Sequence, residues 1–139
     1  MFTTTITPRF AETDALGHIN NTVIPVWFES GRSDIFKIFN PTQDLTHWNL
    51  IIAKIEVNYL SQTSYPTPVE IRTHISKVGN SSFTVFQEVF QGSPSSKRVA
   101  WGECIMVKFD YQTQKSVALT EQEAVDLNHH LVNKENVLN

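Results

Sequence analysis

In the stretch RFAETDALGHINNTVIPVWFE, residues 9–29, a carboxylate at Asp14 stands seven residues ahead of Asn21, with Gly17, His18 and Asn20 between them. Glycine permits a backbone turn that other residues resist. Asparagine is a favoured helix N-cap, so Asn20 and Asn21 mark a helix start. A helix start presents unpaired N–H groups and a partial positive charge, which suit an anion or a developing oxyanion. A carboxylate just upstream of such donors is a workable hydrolytic pair: the acid attacks or activates water, and the helix end holds the negative oxygen. An aspartate ahead of a helix also has an ordinary role, hydrogen-bonding its own turn. The residues alone leave both readings open.

The chain around this stretch reads as one globular domain, residues 1–139, with 40% hydrophobic, 11% aromatic and 18% charged residues. Eleven Lys+Arg against fourteen Asp+Glu give a formal charge of -3, so neither nucleic acid nor an anionic membrane is expected as a partner. The single cysteine, Cys104, excludes an intrachain disulfide and a cysteine-based zinc site. MFTTTITPRF has no basic start followed by an apolar run, so no secretory signal is read there. No apolar stretch approaches the roughly 18 residues of a membrane helix, so no membrane span is expected. The expectation is a cytoplasmic protein.

Periodicity supplies the elements that must hold the turn. The β-branched run Thr3–Thr7 predicts a strand over 3–11. From Thr22 to Phe39, apolar residues at spacings of three and four predict a buried helix, with Pro25 tolerable only in or near its first turn. Glu29 and Arg32, three apart on that helix, suggest an ion pair. The period then drops to two. LIIAKIEVNYL (50–60) places Ile51, Ala53, Ile55, Val57 and Tyr59 on one face, and VEIRTHI, FTVFQEVFQ and KRVAWGECIMVKFDY follow as strands. Turns fall at 79–82 and 92–96, and Cys104 and Met106 read as packing residues on an interior strand. Thr120 with Glu123 opens a capping box for a C-terminal helix over 120–133, which carries His129 and His130 without the partners of a metal site. One long apolar helix followed by a meandering sheet suggests an α+β fold in which the sheet curls around the helix.

RFAETDALGHINNTVIPVWFESGR resembles the signature of the hotdog-fold acyl-CoA thioesterases, the 4-hydroxybenzoyl-CoA thioesterase-like group. That signature is an aspartate, two residues, a glycine, often a histidine, and asparagines leading into the central helix. The likeness continues through IEVNYLSQTSYPTPVEIRTHISKVGNSSF and spans roughly residues 6–112 in order. It implies an antiparallel sheet wrapped around a long central helix, with a C-terminal helix. It implies hydrolysis of an acyl-CoA, coenzyme A being part of the substrate with no separate cofactor and no metal. It also implies a homodimer or homotetramer with active sites at the interface.

Carried over by position, Asp14 matches the acidic nucleophile or general base, and the backbone N–H of Asn21 matches the donor that polarises the thioester carbonyl. His18 matches a site histidine, either a general acid/base, a contact to the thioester, or a turn residue that positions the loop. Glu29 is a reserve, because a second branch of the family uses a helix-borne carboxylate. The coenzyme A phosphates would meet the turn carrying Lys77, Gly79, Asn80, Ser81 and Ser82. Many relatives have Arg or Lys where Asn80 stands, and Lys97 or Arg98 would be the substitutes. Trp27, Phe28 and Tyr59 are expected along the acyl pocket. Two rivals share the fold: a module that binds acyl-CoA or acyl carrier protein without turnover, and an enoyl-CoA hydratase or dehydratase. The second pairs Asp with His five residues apart, whereas Asp14 and His18 are four apart.

Overall fold

Pro8 ends the first strand early, because it has no N–H for the ladder. In the computed structural model, which describes residues 1–92 and 96–139, β1 is Phe2–Ile6, and Phe10–Glu12 coil into a 3-10 turn rather than continuing the strand to residue 11. The apolar stretch that follows forms α1 (Val23–Gly31) and α2 (Ser33–Phe39), two helices and not one, jointed at Arg32 with φ -90° and ψ 1°. Pro25 lies in the first turn of α1, where its missing N–H costs nothing. Ile24, Trp27, Phe28, Ile35 and Phe39 recur at spacings that point one way along both helices, and all are buried.

The strands are β2 (Leu50–Tyr59), β3 (Val69–Val78), β4 (Ser82–Gln91), β5 (Lys97–Asp110) and the short β6 (Lys115–Ser116). They pair antiparallel in the order β1-β3-β4-β5-β2, with β6 on the far end of β5. This curled sheet around the α1–α2 rod is the hotdog arrangement that the resemblance implies. The register of β2 slips between Ile52 and Lys54, opposite Met106 and Ile105. The bulge puts Ile52, rather than Ile51 and Ala53, on the face shared by Ile55, Val57 and Tyr59. The turn expected at 92–96 falls largely on residues 93–95, outside the described residues.

α3 (Glu121–Asn128) starts at the expected capping box, Thr120 Oγ1 accepting from Glu123 N at 3.1 Å and Glu123 Oε1 from Thr120 N at 2.8 Å. It ends sooner than expected. His129 is its C-cap, and His130 lies beyond it, where its backbone carbonyl accepts from Ile75 N. A second short helix, α4 (Lys134–Leu138), follows, tied to β5 by Lys134 Nζ to Glu103 (2.6 Å) and by Arg98 Nη2 to the Val137 carbonyl (2.8 Å).

The core has two apolar compartments. One gathers Ile24, Trp27 and Phe28 with Val69, Ile71 and Val89; the other gathers Ile35, Phe39 and Leu127 with Val85, Cys104 and Met106. Between them lies a buried polar layer. Gln87 Nε2 donates to the Phe28 carbonyl (2.8 Å) and to Thr73 Oγ1 (3.0 Å), Thr73 donates to the Gly31 carbonyl (3.0 Å), and Arg32 Nη1 donates to Gln87 Oε1 (3.2 Å). Arg32 is 1% exposed and its Nε has no partner among the described residues. The expected Glu29–Arg32 ion pair does not form, because Arg32 turns inward at the joint while Glu29 stays on the exposed face. A side chain on Gly31 would meet Ile71 Cγ2 at 2.8 Å and Gln87 Nε2 at 2.9 Å, so glycine is what lets α1 lie this close to the sheet.

Candidate active site

Residues 12–20 form a miniature hairpin. The Glu12 carbonyl accepts from Asn20 N (2.8 Å), Thr13 bridges Ile19, and Asp14 N donates to the His18 carbonyl (2.7 Å). Gly17 closes the turn at φ +81°. Asp14 Oδ1 accepts from Leu16 N (2.7 Å) and His18 N (3.1 Å), which is the ordinary turn role. Its Oδ2 accepts no hydrogen bond among the described residues. One oxygen of the carboxylate therefore builds the turn, and the other stays available.

Two clamps hold this hairpin. Beneath it, Glu12 is buried and its Oε2 accepts from Trp27 Nε1 on α1 at 3.1 Å. Beside it, Ile19 N donates to the Thr63 carbonyl (2.8 Å) and His18 bridges Ser64. The 63–67 segment is held in turn by Gln91 at the end of β4. The Gln91 amide takes Ser64 N (2.9 Å) and gives to the Ser64 (2.9 Å) and Thr67 (2.8 Å) carbonyls.

The helix start lies across a cavity from Asp14. Asn20 Oδ1 accepts from Thr22 N and Thr22 Oγ1, both at 2.9 Å, so Asn20 builds the turn that leads into α1, whose N-cap, Thr22, makes no side-chain cap bond. The Asn21 N–H has no acceptor among the described residues, while its carbonyl accepts from the Tyr59 hydroxyl at 2.6 Å. Desolvation pushes the Tyr59 phenol above its ordinary value of 10.0, so it remains a donor at neutral pH. Asp14, Asn20, Asn21, Ile24 and Tyr59 are among the residues lining this cavity of about 470 Å³. An open carboxylate oxygen and an open backbone donor thus share one partly apolar space. That combination can polarise a carbonyl and deliver a nucleophile to it.

The other expected site residues are distributed differently. His18 is half-buried, its backbone closes the turn, and its ring makes no hydrogen bond among the described residues. Lys77, Gly79, Asn80, Ser81 and Ser82 sit at the β3–β4 turn. The ten residues of β3 put that turn about 30 Å from the Asp14 end. Within one chain the two groups do not meet. Arg98 is engaged by Glu88 at 2.7 Å and by α4. Trp27 and Phe28 are buried in the core, whereas Tyr59 does line the cavity. No group of three or more His, Cys, Asp and Glu able to hold a metal occurs among the described residues. Nor is any described helix long and apolar enough to cross a membrane. Glu12 and Gln91 went unread in the sequence, because the Trp27 indole that Glu12 holds and the backbone groups that Gln91 holds are brought to them only by the fold.

Residues 8–134 match the profile of the thioesterase-like superfamily. The chain belongs to that superfamily. The thioesterase-like chain is 40% identical to a predicted thioesterase from Bacillus stearothermophilus, with a TM-score of 0.89 over 94% of this chain and 96% of that one. It is 30% identical over 126 residues to the uncharacterized protein YsmA of Bacillus subtilis, covering 89% of this chain and 83% of the relative. A 4-hydroxybenzoyl-CoA thioesterase variant in complex with 4-hydroxybenzoyl-CoA shares the fold at 15% identity, with a TM-score of 0.76 over 90% of this chain and 96% of the other. Membership of the thioesterase-like superfamily makes this chain an enzyme of the thioesterase class.

Proposed function

We propose that the enzyme hydrolyses acyl-CoA thioesters to a free acid and coenzyme A, with Asp14 as the reacting carboxylate. The observation that carries the reading is the meeting, across one cavity, of the free Asp14 Oδ2 and the unpaired Asn21 N–H. The thioester carbonyl sits on the Asn21 N–H at the start of α1, where the helix dipole adds to the donor. Asp14 then attacks the carbonyl carbon, giving an acyl-aspartate that water cleaves, or takes a proton from a water that attacks directly. In both routes the C–S bond breaks and the electron pair leaves on sulfur. A thiol with a pKa near 8.5 is a good enough leaving group to need little acid assistance.

A second copy of the chain completes this reading. β2 is an open edge of the sheet, and Ile52, Ile55 and Tyr59 on its inner face are 46%, 46% and 50% exposed. An apolar edge of this kind is a template for pairing with another strand. Antiparallel pairing of two β2 strands about a two-fold axis sets the partner's Leu50 end beside Tyr59. The partner's 79–82 turn, tied to β5 by Lys108 N to the Ser81 carbonyl (2.8 Å), then approaches the cavity mouth. In this arrangement Lys77 and Gly79–Ser82 serve the coenzyme A of the neighbouring site.

The test is thiol release from short, long and aromatic acyl-CoAs by the wild type and Asp14→Asn. The variant is expected to lose on the order of a hundredfold or more in kcat while keeping its assembly. Absence of release by the wild type on every acyl-CoA would overturn the coenzyme A reading in favour of acyl carrier protein thioesters or a binding role.

A further inference from the structure

We propose that Tyr59 is a positioning residue for the reaction. Its hydroxyl, reaching from the end of β2, holds the Asn21 carbonyl and so the Asn21–Thr22 peptide plane, and through the shared Asn21 Cα limits how the adjoining Asn21 N–H turns toward the cavity. The effect on turnover rests on the hydrolase reading above; the effect on Asn21 does not.

The hydrogen bonds around the helix start show why such a tie is needed. Thr22 N, Thr22 Oγ1 and Val23 N all bond back to Asn20. These bonds shape residues 20–23 as a unit but do not fix that unit against the sheet. Asn20 N to the Glu12 carbonyl binds it to the hairpin on one side. On the other side, the bond to Asn21 itself comes from Tyr59, 38 residues away in sequence and only 2.6 Å from the carbonyl. The Asn21 side chain makes no hydrogen bond among the described residues, so the residue is held through its main chain.

Within one chain Tyr59 belongs to neither apolar compartment, and its ring lies on the exposed β2 edge. It is the last residue of β2, opposite Ala100, and faces the cavity that holds Asp14 and Asn21. Its hydroxyl reaches across the cavity lining to the residue whose N–H is open. Donors pre-aimed at the oxyanion contribute to rate without reorganising during the reaction, and small misplacements of such groups are costly in kcat.

Tyr59→Phe removes the hydroxyl and keeps the ring, so it separates aim from packing. With a hydrolysed acyl-CoA from the panel, kcat is expected to fall on the order of tenfold while KM stays within about twofold, since the Asn21 donor counts most when charge develops on the carbonyl oxygen. In ¹⁵N-labelled protein the Asn21 and Thr22 amide resonances are expected to move well outside the shifts of the remaining amides. Faster exchange of the Thr22 amide is expected alongside. Unchanged kcat in Tyr59→Phe overturns the proposal, and so do unmoved Asn21 and Thr22 resonances. If the wild type hydrolyses nothing, the hydrolase reading falls alone, and the amide resonances still decide whether Tyr59 holds Asn21.

Discussion

Glu12 and Trp27, fifteen residues apart, are joined beneath the candidate site by a 3.1 Å hydrogen bond from the indole Nε1 to the buried carboxylate. The same Glu12 holds the base of the Asp14 hairpin through its backbone carbonyl and caps Arg9 N through Oε1 at 2.7 Å. Glu12→Ala leaves the Trp27 N–H buried without an acceptor, and a loss of about 2 kcal/mol in urea unfolding is expected. Glu12→Gln keeps a carbonyl for that N–H and should lose less. Equal stability of Glu12→Ala and the wild type would show that the bond contributes nothing.

Gly17 lies at φ +81°, and a Cβ there would meet nothing within 4 Å. The cost of Gly17→Ala is therefore backbone strain alone, about 1 kcal/mol. Because the strain sits in the turn that carries Asp14, turnover should fall by more than the loss of folded protein explains. Thermal unfolding and kcat measured on the same sample separate the two.

The exposed apolar face of β2 makes a prediction about assembly. Ile55→Lys changes a residue already 46% exposed in one chain, so the fold of the chain should survive. A lysine in a paired apolar seam would not be tolerated. Light scattering should show a shift from dimer to monomer, with thiol release falling at least several-fold. A dimer that persists with full activity would place the interface elsewhere.

Glu88 supplies the pH dependence. Burial pushes its carboxyl up, but the hydrogen bonds from His74 (3.2 Å) and Arg98 (2.7 Å) outweigh burial and hold it below the ordinary 4.5. A carboxylate with a lowered folded-state value stabilises the protein fully above its unfolded value. That stabilisation is lost as pH falls below 4.5 and through the folded value. Urea midpoints measured below that pH should fall more steeply for the wild type than for Glu88→Gln. Parallel slopes would assign the acid sensitivity to other groups.

Much of this architecture was legible where local chemistry decides it. Thr120 and Glu123 announce the start of α3 because both partners of the capping box lie within one turn. Pro25 and the asparagines locate the start of α1 for the same reason. The break at Arg32 was not legible, since Phe28 and Ile35, seven apart across the polar run 29–34, still fall on one helical face, and only the polar partner on β4 draws Arg32 inward. Nor was the face of β2 at its start, where a bulge between Ile52 and Lys54 puts Ile52, and not Ile51 and Ala53, on the face of Ile55, Val57 and Tyr59. In the site, the Asp14–Asn21 spacing was visible, because the hairpin and helix start are contiguous. Tyr59, Glu12 and Gln91 act across 15 to 38 residues of sequence on main-chain atoms and indole, and no local pattern encodes that.

The polar layer of Arg32, Gln87 and Thr73 has a consequence for where the helix can stop along the sheet. Apolar ridges settle into apolar grooves at more than one axial offset, so greasy surfaces alone tolerate a slide of one helical turn. Gln87 is satisfied at only one offset, where the Phe28 carbonyl, Thr73 and Arg32 all come within reach. The layer works as an index mark, locking the longitudinal position of α1 from its C-terminal turn. A one-turn slip would carry Asn21 about 5 Å from Asp14. The alignment of the two reacting groups is thus set in part by residues at the opposite end of the helix.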